Sequence, residues 1–476
     1  MKTVNLADSI ARTRRNFLAT SASGLGTLAL AHMLQGQDLL GAADTSGLTP
    51  LAPKPPHFAP RAKNCIFLFM AGAPSQMDLF DPKPKLDELH GKPLPESLTK
   101  DVRFAFIKKK TAVLMRSPRK FSRHGQCGME LSDFLPHIGA CADDIALVRS
   151  IYSEQFNHHP GQLMMNTGVP RFGSPSVGSW LNYGLGSESK NLPGYVVLTA
   201  GRGSSGGTSN WTSGFLPSTY AGVLFRGKGE PILNLDNPPG VGTGLQRASL
   251  DALRDLNSRR YLETLDPEIQ SRIASYELAF RMQMEAPGIQ DISGEPETIR
   301  KLYGLDQDNT KKFGEKCLMA RRFSEAGVRF VQVTHRYWDS HGDLRKEHGR
   351  LAAEMDGPVA GLISDLKQRG LLDETLVLWG GEFGRTPVAQ GRDGRDHNPH
   401  ANTMFLAGGG IKPGIQYGAT DEYGYYARED RVHFHDLHAT ILHQLGIDHT
   451  KLTYKLQGRH FRLTDVGGDV VRKILA

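Results

Sequence analysis

Continuous apolar runs recur along the chain and predict strands that are buried on both faces of a sheet. Six such runs lie at Asn64–Gly72, Ile145–Ile151, Gly194–Ala200, Val328–His335, Thr375–Gly381 and Thr403–Gly409. Helical patterns lie between several of these runs, at Leu131–Ala142, Lys311–Ala326, Leu351–Gly370 and Asp436–Leu445. This alternation predicts an α/β fold with a mainly parallel sheet flanked by helices on both faces.

Two segments interrupt the alternation. Gly201–Gly244 is dense in glycine, serine, proline and threonine, which is typical of a long loop. Leu245–Met284 has a charged helical pattern. We therefore expect one α/β domain over residues 62–476, with a loop and helical insertion at residues 201–310.

The N-terminal segment has the pattern of an export signal. Arg14 and Arg15 precede a modest apolar run that ends at Leu34, and small residues follow at Gly41–Ala43. This order is typical of a twin-arginine signal peptide, predicted here for residues 1–43, with a proline-rich linker at residues 44–61. Because the apolar run is too short for a lasting membrane anchor, we expect a periplasmic or otherwise exported protein without a stable membrane span.

Net charge and cysteine spacing limit the classes of partner and of metal site that the sequence favours. The formal net charge is +7 over 476 residues, without a long run of lysine or arginine. This mild basicity suits an anionic small-molecule or polysaccharide ester and does not favour nucleic acid as a partner. The four cysteines form no Cys-x-x-Cys pair, which argues against a structural zinc framework, although Cys127 and Cys141 could form a disulfide outside the cytoplasm.

Side chains of the types that bind metals follow several predicted strands, where ligands bind in open α/β sheets. The predicted ligands of a divalent metal are Asp339, His341, Glu382 and His397, with Asp78 as a weaker candidate. Carboxylates and imidazoles of this kind suit zinc, manganese, iron or calcium. Two alternatives remain open, since Asp339 could cap a helix and Glu382 could pair with Arg385.

These residues lie in runs that resemble the family known as domain of unknown function 1501. The matching runs include "FMAGAPSQMDLFDPKP", "WDSHGD", "GGEFGRTP" and "GRDHNPHA", and the resemblance covers nearly all of Ala62–Ala476. It implies an alkaline phosphatase or sulfatase-like core, in which Asp339 and His341 resemble a metal-binding pair and His397 matches the last metal histidine of phosphatases. One departure is Pro358, which we expect to kink or break a helix.

The run "NHHPGQLMMNTG" at Asn157–Gly168 resembles the sulfatase nucleophile run, Cys-x-Pro-x-Arg followed by Thr-Gly. Three positions match that run: Pro160, Thr167 and Gly168. His158 stands at the cysteine and Gln162 at the arginine. Because an imidazole cannot become formylglycine, His158 rules out the standard sulfatase mechanism. His158 and His159 open a helix whose N-terminus favours anions, and either could ligate the metal, act as a general base or only cap the helix.

Two hypotheses of function follow. The first is an exported, metal-dependent hydrolase of sulfate or phosphate esters, in which water activated at the metal attacks directly and His158, His159 and Arg385 are the catalytic candidates. The second is a catalytically degenerate, metal-stabilised binding or assembly module of the cell envelope. Loss of the sulfatase cysteine favours the module, whereas the crowding of ligand-type side chains favours the hydrolase.

The N-terminal interpretation predicts an export phenotype. Replacing both Arg14 and Arg15 with lysine should trap the precursor in the cytoplasm, because the twin-arginine pathway requires the arginine pair. Cell fractionation and N-terminal sequencing of the mature protein would test this, and normal export of the double variant would contradict it.

Overall fold

The structure is a computed structural model that describes residues 50–476, except for residues 100, 101, 103, 202, 227–231, 233–235 and 336. The predicted signal peptide at residues 1–43 lies outside the described residues. Within them, no helix combines the length and the hydrophobicity that crossing a membrane requires.

The described residues contain strands and helices in an alternating order. The strands are β1 (Asn64–Met70), β2 (Phe121–His124), β3 (Met129–Ser132), β4 (Ile145–Tyr152), β5 (Tyr195–Ala200), β6 (Val223–Phe225), β7 (Phe330–His335), β8 (Thr375–Gly380), β9 (Gly384–Gln390), β10 (Gly394–Asn398), β11 (Asn402–Ala407), β12 (Ile415–Tyr417), β13 (Ala419–Thr420), β14 (Ala427–Glu429), β15 (Val432–His433), β16 (Tyr454–Leu456) and β17 (Arg459–Phe461). The α-helices are α1 (Gln76–Leu79), α2 (Pro84–Glu88), α3 (Glu96–Thr99), α4 (Pro136–Ala140), α5 (His158–Thr167), α6 (Val177–Leu185), α7 (Thr243–Thr264), α8 (Pro267–Gln290), α9 (Glu297–Leu302), α10 (Asp308–Glu325), α11 (Leu344–Gln368) and α12 (Phe434–Gln444).

One large sheet organises the domain. Its strand order is β12-β4-β11-β8-β1-β7-β5-β6, and β15 also pairs with β4. Strands β8, β1, β7, β5 and β6 run parallel to one another, whereas β11 is antiparallel to both of its neighbours. All six predicted apolar runs are strands of this sheet, so the prediction of a mainly parallel α/β fold is confirmed.

The central strand β1 is apolar from its second residue onward because it is buried there on both faces. Ile66, Leu68 and Met70 belong to the core on one face, together with residues of α10 and α11. Cys65, Phe67 and Phe69 belong to the core on the other face, together with residues of α6 and α12. Burying one such large side chain contributes about 1.5–3 kcal/mol to the free energy of folding.

All four cysteines of the chain are free thiols, so Cys127 and Cys141 are not joined by a disulfide in this structure.

The predicted helix at Leu131–Ala142 is wrong in its first half. Met129–Ser132 is instead a strand that forms an antiparallel hairpin with Phe121–His124. The helix that follows is α4, which begins only at Pro136. Proline is favoured in the first turn of a helix, where its missing N–H costs nothing, and it therefore fixes the start of α4.

Of the kink or break predicted at Pro358, the break is wrong. Helix α11 continues through Pro358 from Leu344 to Gln368. Gly357, directly before the proline, relieves the clash that a larger residue would have there. Much of α11 is buried, including Met355, Val359 and Leu362, and this burial outweighs the loss of one backbone hydrogen bond.

Close packing of α11 on α9 generates a stability prediction. A Cβ at Gly361 would overlap the backbone carbonyl of Leu302, which cannot move away as a side chain could. Gly361→Ala should therefore lower the free energy of unfolding by about 1–3 kcal/mol, measured by urea denaturation. Gly288 in α8 has open space around it, and Gly288→Ala should raise the free energy of unfolding by about 1 kcal/mol. Equal effects of the two variants would contradict this description of the packing.

Candidate metal centre

The carboxyl ends of neighbouring strands bring the candidate ligands together. Met70 at the end of β1 is level with His335 at the end of β7, and Phe69 is level with Gly380 at the end of β8. Asp339 and His341 follow β7, and Glu382 follows β8. These side chains therefore start from adjacent strand ends, as the parallel sheet requires.

Two further elements complete the group. His397 is in β10, directly opposite Arg385 in the antiparallel β9–β10 hairpin. His158 is the first residue of α5, which follows β4 along the chain. One possible ligand atom from each of His158, Asp339, His341 and His397 lies within 4.8 Å of all the others.

The Oδ1 atom of Asp339 lies at the centre of this group. It is 3.1 Å from Nε2 of His158, 2.9 Å from Nε2 of His341 and 3.2 Å from Nε2 of His397. The Nε2 atoms of His341 and His397 are only 3.0 Å apart. Three imidazoles thus direct the same ring nitrogen at one carboxylate oxygen.

The other nitrogen of each ring, Nδ1, faces outward and is held by an oxygen. Nδ1 of His158 is 2.7 Å from Oε1 of Glu382, and Nδ1 of His397 is 2.6 Å from the carbonyl oxygen of Phe156. Nδ1 of His341 contacts Oε1 of Gln390. Because a backbone carbonyl only accepts, Nδ1 of His397 must donate, which leaves the Nε2 lone pair directed at the centre when the ring is neutral.

Charges within the group shift the pKa values. Burial alone would raise the pKa of Asp339, but contacts with His158, His341, His397 and Arg385 outweigh it and hold that pKa well below its ordinary value. Burial tends to lower the pKa of His158, yet Asp339 and Glu382 raise it overall. Burial lowers the pKa of His397. The group therefore favours a cation, either as a proton on His158 or as a metal ion.

The arrangement fits a divalent metal. Nε2 of His158 is buried and makes no hydrogen bond, although Asp339 lies beside it, so this atom has a lone pair available for a ligand. Three imidazole nitrogens with one carboxylate suit zinc, manganese or iron. Ligand atoms 2.0–2.2 Å from one tetrahedral ion would be about 3.3–3.6 Å apart. Oδ1 of Asp339 is 2.9–3.2 Å from the three Nε2 atoms, and all four atoms lie within 4.8 Å of one another.

Glu382, predicted as a ligand, is not one of the four grouped residues and instead contacts one of them, His158. Its Oε1 atom accepts from Nδ1 of His158, from Nε2 of Gln162 at 3.0 Å and from the backbone N–H of Gly72 at 3.0 Å. The side chain is completely buried. Glu382 thus orients His158, as carboxylates behind metal-binding histidines commonly do.

Arg385 and His159, both predicted as catalytic, occupy different environments. The Arg385 side chain is completely buried, and Nη2 donates to Oδ1 of Asp339 at 2.7 Å. Its remaining contacts are with backbone carbonyls, including that of Ala73 at 2.8 Å. Four of the five guanidinium N–H donors are used within the protein, so Arg385 orients Asp339 from a buried position. His159 contacts the carbonyl oxygen of Ser205 and is not part of the four-residue group.

Asp78 is also outside the group. Its two carboxylate oxygens accept from Arg395 at 2.7 and 3.1 Å, and Ser75 donates to it as well. Burial would raise the pKa of Asp78, but Arg395 and Ser75 hold it below the ordinary value. Since both oxygens are already bound to this buried arginine, Asp78 is committed to a structural ion pair.

The alternative that Asp339 caps a helix is not what the structure shows for α11. The N-cap of α11 is Asp343, so Asp339 does not cap that helix.

Several contributors have no sequence signal of their own. The carbonyl of Phe156 and the N–H of Gly72 are backbone groups, and Gln390 ends a strand that periodicity does not predict. Gln162 has one signal, since it stands where the sulfatase run has arginine.

Comparison with known families identifies the chain. Residues 62–475 match the family model described as "Protein of unknown function (DUF1501)". The chain belongs to this family. The match confirms the resemblance drawn from the short sequence runs. No curated protein matches the chain significantly.

Solved structures with similarity to the DUF1501 chain include three enzymes. A phosphonate monoester hydrolase from Silicibacter pomeroyi has a TM-score of 0.32 and 16% identity, over 66% of this chain and 68% of its own. The sulfatase PsFucS1 from Pseudoalteromonas sp. has a TM-score of 0.34 and 12% identity, over 81% and 68% of the two chains. The alkaline phosphatase from the Antarctic bacterium TAB5 has a TM-score of 0.31 and 10% identity, over 75% and 94%. Similarity at this level says nothing about the reaction.

The geometry predicts a metal content that depends on particular residues. Purified protein should hold about one divalent ion per chain, and His397→Ala should lower the occupancy because it removes a ligand. Glu382→Gln should weaken metal binding about 10–100-fold by loosening His158. Elemental analysis after dialysis against a chelator series would measure both effects.

His443→Ala is the matched control for that experiment. His443 is in α12, and its ring centroid is 4.8 Å from that of Phe58. It is not one of the four grouped residues. Its replacement should leave the metal content unchanged. A His397→Ala protein with the metal content of the unmodified protein would refute the assignment of ligands.

Proposed function

We propose that this protein is a metal-dependent hydrolase of phosphate or sulfate esters, with a divalent metal held by His158, Asp339, His341 and His397. The observation that carries the proposal is the convergence of three Nε2 atoms on Oδ1 of Asp339, while every Nδ1 atom is held from outside. A purely structural cluster would not need three rings directed at one carboxylate oxygen with Nε2 of His158 left without a hydrogen bond.

A divalent metal at this position would polarise an ester oxygen and lower the pKa of water. The chain's own residues supply position and charge. Arg385 fixes Asp339, and Glu382 fixes His158, so both ligands are pre-organised. The N-terminus of α5 begins at His158, and its partial positive charge favours an anionic substrate at the same place.

Direct attack by water is the proposed route. The cysteine position of the sulfatase run holds His158, whose two nitrogens face Glu382 and the metal-binding group. In the reaction, the oxygen of water bonds to phosphorus or sulfur, and the ester oxygen leaves with the bonding electron pair. The proton released by water is transferred to the leaving oxygen or to solvent, so the products are the acid and the alcohol.

The second candidate is a metal-stabilised binding or assembly module of the cell envelope. Two observations favour it: the sulfatase cysteine is replaced, and the guanidinium of Arg385 is completely buried and uses four of its five N–H donors inside the protein. Export through the twin-arginine pathway is proposed for both candidates, on the basis of Arg14 and Arg15 in the sequence.

Turnover and its dependence on metal distinguish the two candidates. We expect hydrolysis of at least one member of a panel of aryl phosphates, aryl phosphate diesters and aryl sulfates. A chelator should abolish turnover, and a divalent metal should restore it. His397→Ala should lower kcat/KM at least about 100-fold, whereas His443→Ala should not.

Two outcomes would count against the hydrolase. A protein that binds metal stoichiometrically but turns over no member of the panel would favour the module. A phosphorylated or sulfated histidine trapped during turnover would rule out direct attack by water.

A further inference from the structure

Exposed aromatic side chains are concentrated at the candidate metal centre. Among the described residues, the exposed aromatic side chains are Phe58, Phe106, Phe156, Phe172, Tyr276 and Tyr337. The rings of two of these six contact the three histidines of the group, Phe106 beside His341 and His397 and Tyr337 beside His158, and the backbone carbonyl of Phe156 contacts His397. Large apolar side chains grouped at a functional site commonly mark a surface that a ligand covers.

Phe106 has the most informative position. Its side chain is 62% exposed, and its ring centroid is 5.6 Å from those of both His341 and His397, edge to face. The backbone around it is fixed, because the N–H groups of Phe106 and Ile107 donate to Oδ2 of Asp396 at 2.8 and 3.2 Å. An anchored loop thus holds a phenyl ring at the centre while leaving most of that ring open to solvent.

Tyr337 and Phe156 contribute from other segments. The ring of Tyr337 is 38% exposed and lies 5.1 Å from His158. Phe156 is 46% exposed, and its backbone carbonyl binds His397.

Positive charge adjoins this aromatic group. Lys108, Lys109 and Lys110 follow Phe106 within four residues, and all three are exposed. Exposed lysines attract anions over a distance of about 10 Å at ordinary ionic strength. The same loop therefore presents both an apolar ring and cationic side chains.

We propose that the site takes an anionic ester whose alcohol part is a ring with an apolar face, and that Phe106 and Tyr337 bind that face. The inference rests on the proposed hydrolase function and specifies its substrate class. The shared chemistry is that of an aryl group or of a pyranose, whose C–H face packs on aromatic side chains in the same way. A ringless alkyl ester would leave both aromatic side chains uncovered.

Ligand binding tests the inference without requiring turnover. The zinc-loaded full chain is titrated by calorimetry with phenylphosphonate, methylphosphonate and glucose 1-phosphate. Phenylphosphonate or glucose 1-phosphate should bind about tenfold more tightly than methylphosphonate, and the stronger of the two shows whether the ring is aryl or sugar. Phe106→Ala and Tyr337→Ala should each reduce this preference about threefold to tenfold.

Metal content separates this role from a structural one. If Phe106 binds the ring of the substrate, Phe106→Ala keeps its zinc and binds methylphosphonate as before. Phe172→Ala is the matched control, because Phe172 is 68% exposed but is not among the rings that contact the three histidines. It should retain the full ring preference.

The outcomes are distinguishable. Equal affinity for phenylphosphonate, glucose 1-phosphate and methylphosphonate would overturn the inference while leaving the hydrolase proposal intact, as would a loss of zinc from Phe106→Ala with an unchanged preference. A zinc-loaded protein that binds none of the three ligands and hydrolyses no ester would overturn both. A preference that disappears in Phe106→Ala and persists in Phe172→Ala would establish the ring-binding role.

Discussion

The contact between Asp339 and three imidazole rings is the constraint on which the rest of the site depends. Oδ1 of Asp339 lies within 3.2 Å of three Nε2 atoms, and two of these nitrogens are only 3.0 Å apart. Lone pairs at such distances repel one another unless a proton or a metal ion lies between them. The pKa of His158 is raised and that of Asp339 is lowered, so the protein favours positive charge at this point. A divalent ion would supply more of that charge than a single proton.

The fold holds the candidate ligands through a chain of buried ion pairs and hydrogen bonds. Asp78 binds Arg395, the carbonyl of Arg395 accepts from Arg385 at 3.3 Å, and Arg385 binds Asp339. Both arginine side chains are completely buried, and each donates through four of its five N–H groups, which offsets a loss of hydration that costs several kcal/mol. The position of Asp339 is therefore tied to β9, β10 and the segment after β1. Buried ion pairs add little to the free energy of unfolding, so the main effect of this network is to hold the site in one arrangement.

Features that depend on neighbouring residues in the sequence could be predicted, whereas contacts between residues far apart in the sequence could not. The central strands were predictable because burial on both faces demands an unbroken apolar run, as in β1 and β8. The grouping of Asp339, His341 and His397 followed from their positions near strand ends. The partners of the remaining carboxylates could not be predicted, because Asp78 and Arg395 are 317 residues apart and Glu382 meets His158 across 224. As residue types, Asp78 and Glu382 are equivalent to Asp339. Only the three-dimensional contacts distinguish the candidate ligand Asp339 from the carboxylates that hold other side chains in place.

The run at Asn157–Gly168 shows how a local pattern can persist while its chemistry changes. Gly168 ends α5 with φ +74°, and a Cβ there would overlap the carbonyl of Leu463, so glycine is required by geometry alone. The two positions that depart from the sulfatase run, His158 and Gln162, are one helical turn apart and therefore share a face of α5. Both donate to the same atom, Oε1 of Glu382, at 2.7 and 3.0 Å. The two departures thus form one hydrogen-bonded unit with Glu382. Because two side chains of one helix face donate to one buried oxygen, the position of Glu382 depends on both of them, and the ring of His158 is in turn fixed by Glu382.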